Sequence, residues 1–341
     1  MPNWKEVLDQ IKAAGSPYDI YRRSSLAELH AHTDRNVIIY YSGWLQKPAL
    51  AQACFTGFEL NDSDKNGFMA AIHHLDRSKG LDLVLHTPGG DLAACESLVD
   101  YLRLMFRGNI RAIVPQLAMS AGTMVACACE RIVMGKHSSL GSIDPQFGGI
   151  AAHGVIEEFE RARKDISDNP ANIPIWQPIL AKYPPTFVGE CEKAIAWSTE
   201  IVKEWLLSGM LRDRKDKRKV ANKIVSELGD HALMKSHARH ISAAAAEKMG
   251  LEIFHLESSP ALQNLVLTLH HICIQTLAAT TAIKLIENHL GMAFIQNAQA
   301  NMPSLPMPVQ AVGQHIELPE EPVPQHRPSR RGGRRSKRSR S

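Results

Sequence analysis

The sequence predicts an α/β protein: a largely parallel sheet buried on both faces, flanking helices and a C-terminal helical extension. Three observations carry that expectation. Short continuous apolar runs, VIIYYSG at 37–43, LDLVLH at 81–86, RAIVPQ at 111–116 and RIVMG at 131–135, are separated by helix-length segments, the pattern of strands covered on both sides by crossover helices. Right-handed crossovers would gather the strand-to-helix turns on one edge. Two of those turns, TPGGD and MSAGT, are built from small residues, at the edge where such sheets bind ligands.

The elements follow in order. Residues 1–35 read as a helical lead-in. Residues 36–257 hold the strand–helix units, with helices expected over 64–79, 92–106 (Asp91 at its start) and 121–129. Residues 258–301 read as C-terminal helices, with apolar positions such as Leu265, Leu267, Ile272, Leu277 and Ile283. In 302–341 the composition turns to proline and then arginine. Seven of the 19 prolines fall between Pro303 and Pro328, and such a segment cannot bury enough apolar surface to fold alone.

With 341 residues, 44% of them hydrophobic and 22% charged, the chain has material for a sizeable core. Six cysteines without CxxC pairs read as buried thiols in a reducing compartment, hence a cytoplasmic protein. The N-terminus is amphipathic rather than a secretory signal. No run of 18 apolar residues occurs, and the most apolar region is interrupted by His270, His271, Gln275 and Lys284, so no membrane span is expected. The net charge of +4 belongs to the tail: residues 326–341 carry eight Lys/Arg and no acid, leaving 31 basic against 35 acidic residues in the body. Salt-sensitive, weak polyanion contact through that tail is one role; a solvated tail is the other. Neither metal-ligand spacing nor a phosphate-binding glycine loop occurs, so no metal and no cofactor are expected.

The chemistry points to the two turns. Ser120 in MSAGT stands at a strand-to-helix turn with small neighbours, and the Ala121 N–H points at the same space from the helix start, where a developing oxyanion is favoured. The Gly89–Gly90 pair in TPGGD offers sterically open backbone N–H groups as the second donor. Either turn alone is an ordinary tight turn; together they make an acyl-transfer site. Asp144, in LGSIDPQ, follows one helix and one strand after Ser120, where a loop returns to the same edge. An Asp-Pro turn that caps backbone N–H groups is its compatible alternative role.

The run HTPGGD…VPQLAMSAGTMVACACERIVMGKHSSLGSIDPQ resembles the Clp protease proteolytic subunit and signal peptide peptidase A, and is most similar to the serine dehydrogenase proteinase family. The resemblance implies a Clp/crotonase-like fold of repeated β-β-α and βαβ units, a serine peptidase acting on peptide or protein substrates, and a homo-oligomer. It also implies Ser, Asp and His in that chain order. These fall on Ser120, Asp144 and the segment SHARHIS, where His237 takes the family position and His240 stands next. In the Clp subunit the loop of Asp144 carries the histidine instead. Signal peptide peptidase A uses a Ser–Lys dyad, which makes Lys164 the rival base, although its helix face is crowded with charge. Two other functions remain open: a crotonase-type enzyme acting on acyl-CoA thioesters, and a non-catalytic scaffold with a polyanion-binding tail.

Overall fold

The core grows from Asn36–Ser42 (β1), a strand buried along its whole length. Its side chains alternate: Ile38 and Tyr40 join one apolar cluster, Val37, Ile39 and Tyr41 another. A strand clothed on both faces needs helices on both, and the chain supplies them. The computed structural model describes residues 7, 18–53, 56–229 and 239–298.

Helix α1 (Tyr18–Thr33) precedes β1. Then come α2 (Pro48–Ala53), α3 (Asp64–Ile72), β2 (Leu81–His86), α4 (Leu92–Phe106), β3 (Ile110–Val114), β4 (Leu117–Ala118), α5 (Ala121–Cys127), β5 (Arg131–Met134) and β6 (Ser139–Leu140). A hairpin of β7 (Gln146–Phe147) and β8 (Ile150–Ala151) leads to α6 (Ala152–Asp168), α7 (Ile173–Leu180), α8 (Phe187–Ser208) and α9 (Lys217–Gly229). The last described elements are β9 (Ile241–Ser242), α10 (Ala243–Met249), β10 (Ile253–His255), α11 (Pro260–Ala279), β11 (Ala282–Asn288) and β12 (Ala293–Asn297).

The large sheet has the order β10-β5-β3-β2-β1-β11-β12. Neighbours from β10 through β1 run parallel, while β11 is antiparallel to both β1 and β12. The protein is thus a mixed α/β fold with a mostly parallel sheet and flanking helices. Residues of α4, α5, α8 and α9 pack into the cluster on one face; residues of α1 and α11 pack into that on the other. Asp91 starts α4 as anticipated, its carboxylate accepting from the Ala94 N–H at 2.8 Å, a bond typical of helix N-caps.

The C-terminal region departs from the expectation. The sequence predicts helices over 258–301; in the structure α11 ends at Ala279, and 282–297 form the hairpin β11–β12, which extends the sheet beyond β1. The misleading signal is polar. Lys284, Glu287 and Asn288 interrupt the apolar run, yet all are buried with β11. Glu287 is bonded to the buried Arg22 and, at 2.9 Å, to Arg23. Lys284 is paired with Asp64 at 2.6 Å. Burial pulls the Lys284 ammonium below its ordinary value, and Asp64 pulls it back up. The helix expected over 64–79 is also shorter. It stops at Ile72, His74 takes a left-handed φ of 67°, and a 3-10 turn covers Arg77–Lys79.

A second, small sheet orders β4-β6-β9, with β4 parallel and β9 antiparallel to β6. Ser120 follows the end of β4, Asp144 follows the end of β6, and His240 precedes the start of β9. With those strand directions, all three leave the sheet at the same edge.

Candidate active site

Ser120 joins β4 to α5 with φ 50° and ψ −117°, backbone that an L-residue adopts only when its surroundings impose it. Here they do. The Thr123 hydroxyl donates to the Ala118 carbonyl and accepts the Gly141 N–H, both at 2.8 Å, tying the first turn of α5 to β4 and to the residue after β6. The TPGG turn closes from the other side: Thr87 N–H donates to Leu117 O and Met119 N–H to Thr87 O, each at 3.0 Å. The two turns therefore meet, as the strand order anticipated.

Their contact tolerates no side chain. A Cβ on Gly89, whose φ is 99°, would lie 2.6 Å from Ser120 Cβ and 2.7 Å from Met119 O. A Cβ on Gly90 would lie 2.2 Å from Leu60 O, and one on Gly122 would lie 2.4 Å from Thr87 Cγ2. The Gly89 N–H is engaged within the turn, donating to Thr87 Oγ1 at 3.1 Å. Gly90 and Ala121, in contrast, line a cleft of about 560 Å³ together with Ser120. Leu92, Met124, Ile143, Phe147 and Trp197 give that cleft apolar walls, and Glu190 and Lys193 of α8 stand beside them.

Asp144 is 2% exposed, and its neighbours in sequence, Ile143 and Pro145, line the cleft. Burial pushes the Cys191 thiol of α8 up, and the Asp144 carboxylate adds to that push. Lys164 is exposed on α6 and is not among the residues lining the cleft with Ser120. His240 is exposed, immediately before β9. His237 lies outside the described residues, but both flanks of its segment are described. At one end, Leu228 O accepts from Ser142 Oγ at 2.9 Å and from Ile143 N–H at 3.1 Å. At the other, Ile241 pairs with Leu140. Both anchors are on the stretch that leads into Asp144.

His153, which no sequence motif singles out, stands near Asp144. In the first turn of α6 its Nε2 lies 3.9 Å from Asp144 Oδ1. Its only signal was place: it is the first histidine after Asp144, at a helix start. Among the described residues, no group of three or more His, Cys, Asp or Glu is placed to hold a metal, and no helix is long and apolar enough to cross a membrane.

A family model described as ClpP-like SDH-type serine proteinase matches residues 18–284. Two proteins of Methanocaldococcus jannaschii, both described only as uncharacterized, are similar to this chain. One is 34% identical over 106 residues, which is 31% of this chain and 37% of that protein. The other is 27% identical over 190 residues, 56% of this chain and 57% of that protein. The chain thus spans less than two thirds of the length of these relatives. No solved structure matches.

Proposed function

The chain belongs to the family of ClpP-like SDH-type serine proteinases, and from that premise we propose that it hydrolyses peptide bonds through Ser120. The observation that carries the reading is the strained Ser120 backbone set against the glycine turn, with Gly90 and Ala121 beside it in one cleft. Ser120 Oγ attacks the scissile carbonyl carbon and gives its proton to a histidine. The carbonyl oxygen, now negative, is held by the N–H groups of Gly90 and Ala121. When the tetrahedral intermediate collapses, the C–N bond breaks and the histidine returns the proton to the leaving amine. Water, deprotonated by the same histidine, then attacks the acyl-serine ester; as the ester C–O bond breaks, the histidine gives its proton to Ser120 Oγ and the acid product leaves.

Asp144 orients that histidine. The base is His237, as the family order implies; the described residues on either side of its segment, Leu228 and Ile241, bond to the stretch leading into Asp144, which supports the reading. His153, close to Asp144, is the second reading. The exposure of Lys164 speaks against a Ser–Lys dyad, since a lysine base needs its charge suppressed by burial. An acyl-CoA substrate is disfavoured because crotonase chemistry needs no serine in this strained position.

The apolar cleft suits a peptide or protein with an apolar side chain next to the scissile bond. We read the protein as a cytoplasmic homo-oligomer whose 326–341 tail touches polyanions weakly; the cysteines at 95, 127, 129, 191 and 273 are free and buried, in keeping with a reducing compartment. The function is tested by assaying cleavage of an unfolded protein such as casein. Ser120→Ala removes hydrolysis while melting as the wild type does; a variant that still cleaves overturns the proposal.

A further inference from the structure

Behind the glycine turn lies a buried ion pair that the proposed reaction does not use. The side chains of Lys284 (β11) and Asp64 (first residue of α3) are fully shielded from solvent, with Nζ 2.6 Å from Oδ1. Two of their remaining bonds reach the backbone on either side of Leu60, and a third engages the Tyr40 hydroxyl. Lys284 Nζ also donates to the Glu59 carbonyl at 2.8 Å. Asp64 Oδ2 accepts the Asn61 N–H at 3.1 Å and the Tyr40 hydroxyl at 2.7 Å. Leu60, between the two clamped residues, is what the glycine turn rests on. Its N–H donates to Gly89 O at 2.7 Å and its carbonyl accepts the Asp91 N–H at 2.8 Å. The contact is backbone against backbone, with no flexible side chain to absorb a shift. Tyr40 meets the Thr87 side chain as well, and Thr87 Oγ1 accepts the Gly89 N–H at 3.1 Å.

We propose that Lys284 and Asp64 are positioning residues for the oxyanion cradle: by clamping residues 59–61 they set where the Gly90 N–H stands relative to Ser120. The proposal rests on the reading of Ser120 as nucleophile and Gly90 as oxyanion donor. Stability alone does not account for the pair. Desolvating two charges is costly, and buried ion pairs are often replaced by apolar residues without loss of stability. What apolar residues cannot supply is directional bonds to Glu59 O and Asn61 N–H on either side of Leu60. Oxyanion donors act through fixed geometry, so a small displacement of Gly90 weakens transition-state binding while leaving substrate binding nearly intact. The arrangement also explains why a strand more than 150 residues downstream of Ser120 belongs to the site: β11 brings the cation.

The experiment compares full-length wild type with the neutral pair Asp64→Asn/Lys284→Met and with Tyr40→Phe. Lys284→Met alone strands a buried carboxylate and is the variant most prone to unfold. Tyr40→Phe deletes one hydroxyl from the network without touching a charge. Three quantities are read: melting temperature, kcat and KM on one peptide substrate, and inhibition by a peptide boronate, which bonds to Ser120 Oγ and puts an oxygen in the cradle. The neutral pair should melt cooperatively, with kcat lowered at least ~10-fold, the order expected for a misplaced donor. Boronate affinity should fall by the same factor and KM should hold. Tyr40→Phe should show the same pattern, smaller. A folded variant of either kind with wild-type kcat and boronate affinity overturns the positioning role. An inert wild type that the boronate does not engage overturns the serine-peptidase reading instead, so the two failures are separable.

Discussion

Gly89 and Ser120 are in direct contact: a methyl group on the Gly89 Cα would sit 2.6 Å from Ser120 Cβ. The contact joins a turn after β2 to a turn after β4 and leaves space for hydrogen only. Gly89 also has a φ of 99°, which L-residues rarely adopt. Gly89→Ala therefore combines backbone strain with a steric clash and should cost about 2–4 kcal/mol of stability. Hydrolysis should fall further than stability does, because the clash pushes on Ser120 itself. Denaturant titration and an activity assay on the same sample check this; wild-type values in both would refute the packing.

The base assignment makes a kinetic prediction. His237→Ala should lower kcat at least ~10⁴-fold, the scale seen when a catalytic histidine is lost from a serine protease. Lys164→Ala should remain at the wild-type level, since Lys164 is exposed on α6. If His153→Ala instead produces the large loss, the histidine 3.9 Å from Asp144 is the base. Loss on Lys164→Ala alone would reinstate the dyad.

Acid should destabilise the protein through His86, which is fully buried with neither ring nitrogen hydrogen-bonded. Burial holds its imidazole down at about 3, whereas an unfolded histidine titrates near about 6.5. Below that pH the unfolded chain binds a proton that the folded protein refuses. The stability is full above it and is lost progressively as pH falls toward 3. His270, whose ring centroid is 5.5 Å away, is shifted in the same direction, by burial first and by neighbouring His86, His271 and His137 next. His86→Phe keeps the ring and removes the proton site. Its melting temperature should fall less steeply between about pH 7 and pH 4; parallel curves for the two proteins would contradict the assignment.

Self-association is the next expectation. Ile150, Ile173 and Ile175 are 50%, 46% and 62% exposed on β8 and α7, apolar side chains available to a second copy of the chain. Light scattering should give a multiple of 37.7 kDa, and Ile173→Glu/Ile175→Glu should lower it. A clean 37.7 kDa species from the wild type at micromolar concentration would count against it.

The strands and turns that form the site were legible in sequence because their signals are local. Apolar runs ended by TPGG and MSAGT mark β2 and the Ser120 turn without reference to anything distant. The hairpin β11–β12 was not legible, because Lys284 and Glu287 look like polar interruptions until Asp64 and Arg22, more than 200 residues earlier, are seen to satisfy them. Partners at that separation leave no periodicity to read. The strain at Ser120 was hidden for a similar reason: a serine does not advertise a positive φ as a glycine does. The base was the least legible. Among 16 histidines composition ranks none, and only the family resemblance singles out His237, because a base supplied by a distant loop leaves no local pattern around Ser120.

An activated Ser120 is open to a fluorophosphonate probe. The reagent phosphonylates a serine only where a base takes the hydroxyl proton and fluoride leaves, so ordinary surface serines stay unlabelled. Incubation with the folded protein, digestion and mass spectrometry should find one adduct, on the peptide containing Ser120, absent from Ser120→Ala and from protein unfolded before labelling. An unlabelled Ser120 in protein that still cleaves casein, or an adduct on a different serine, would show that Ser120 is not the nucleophile.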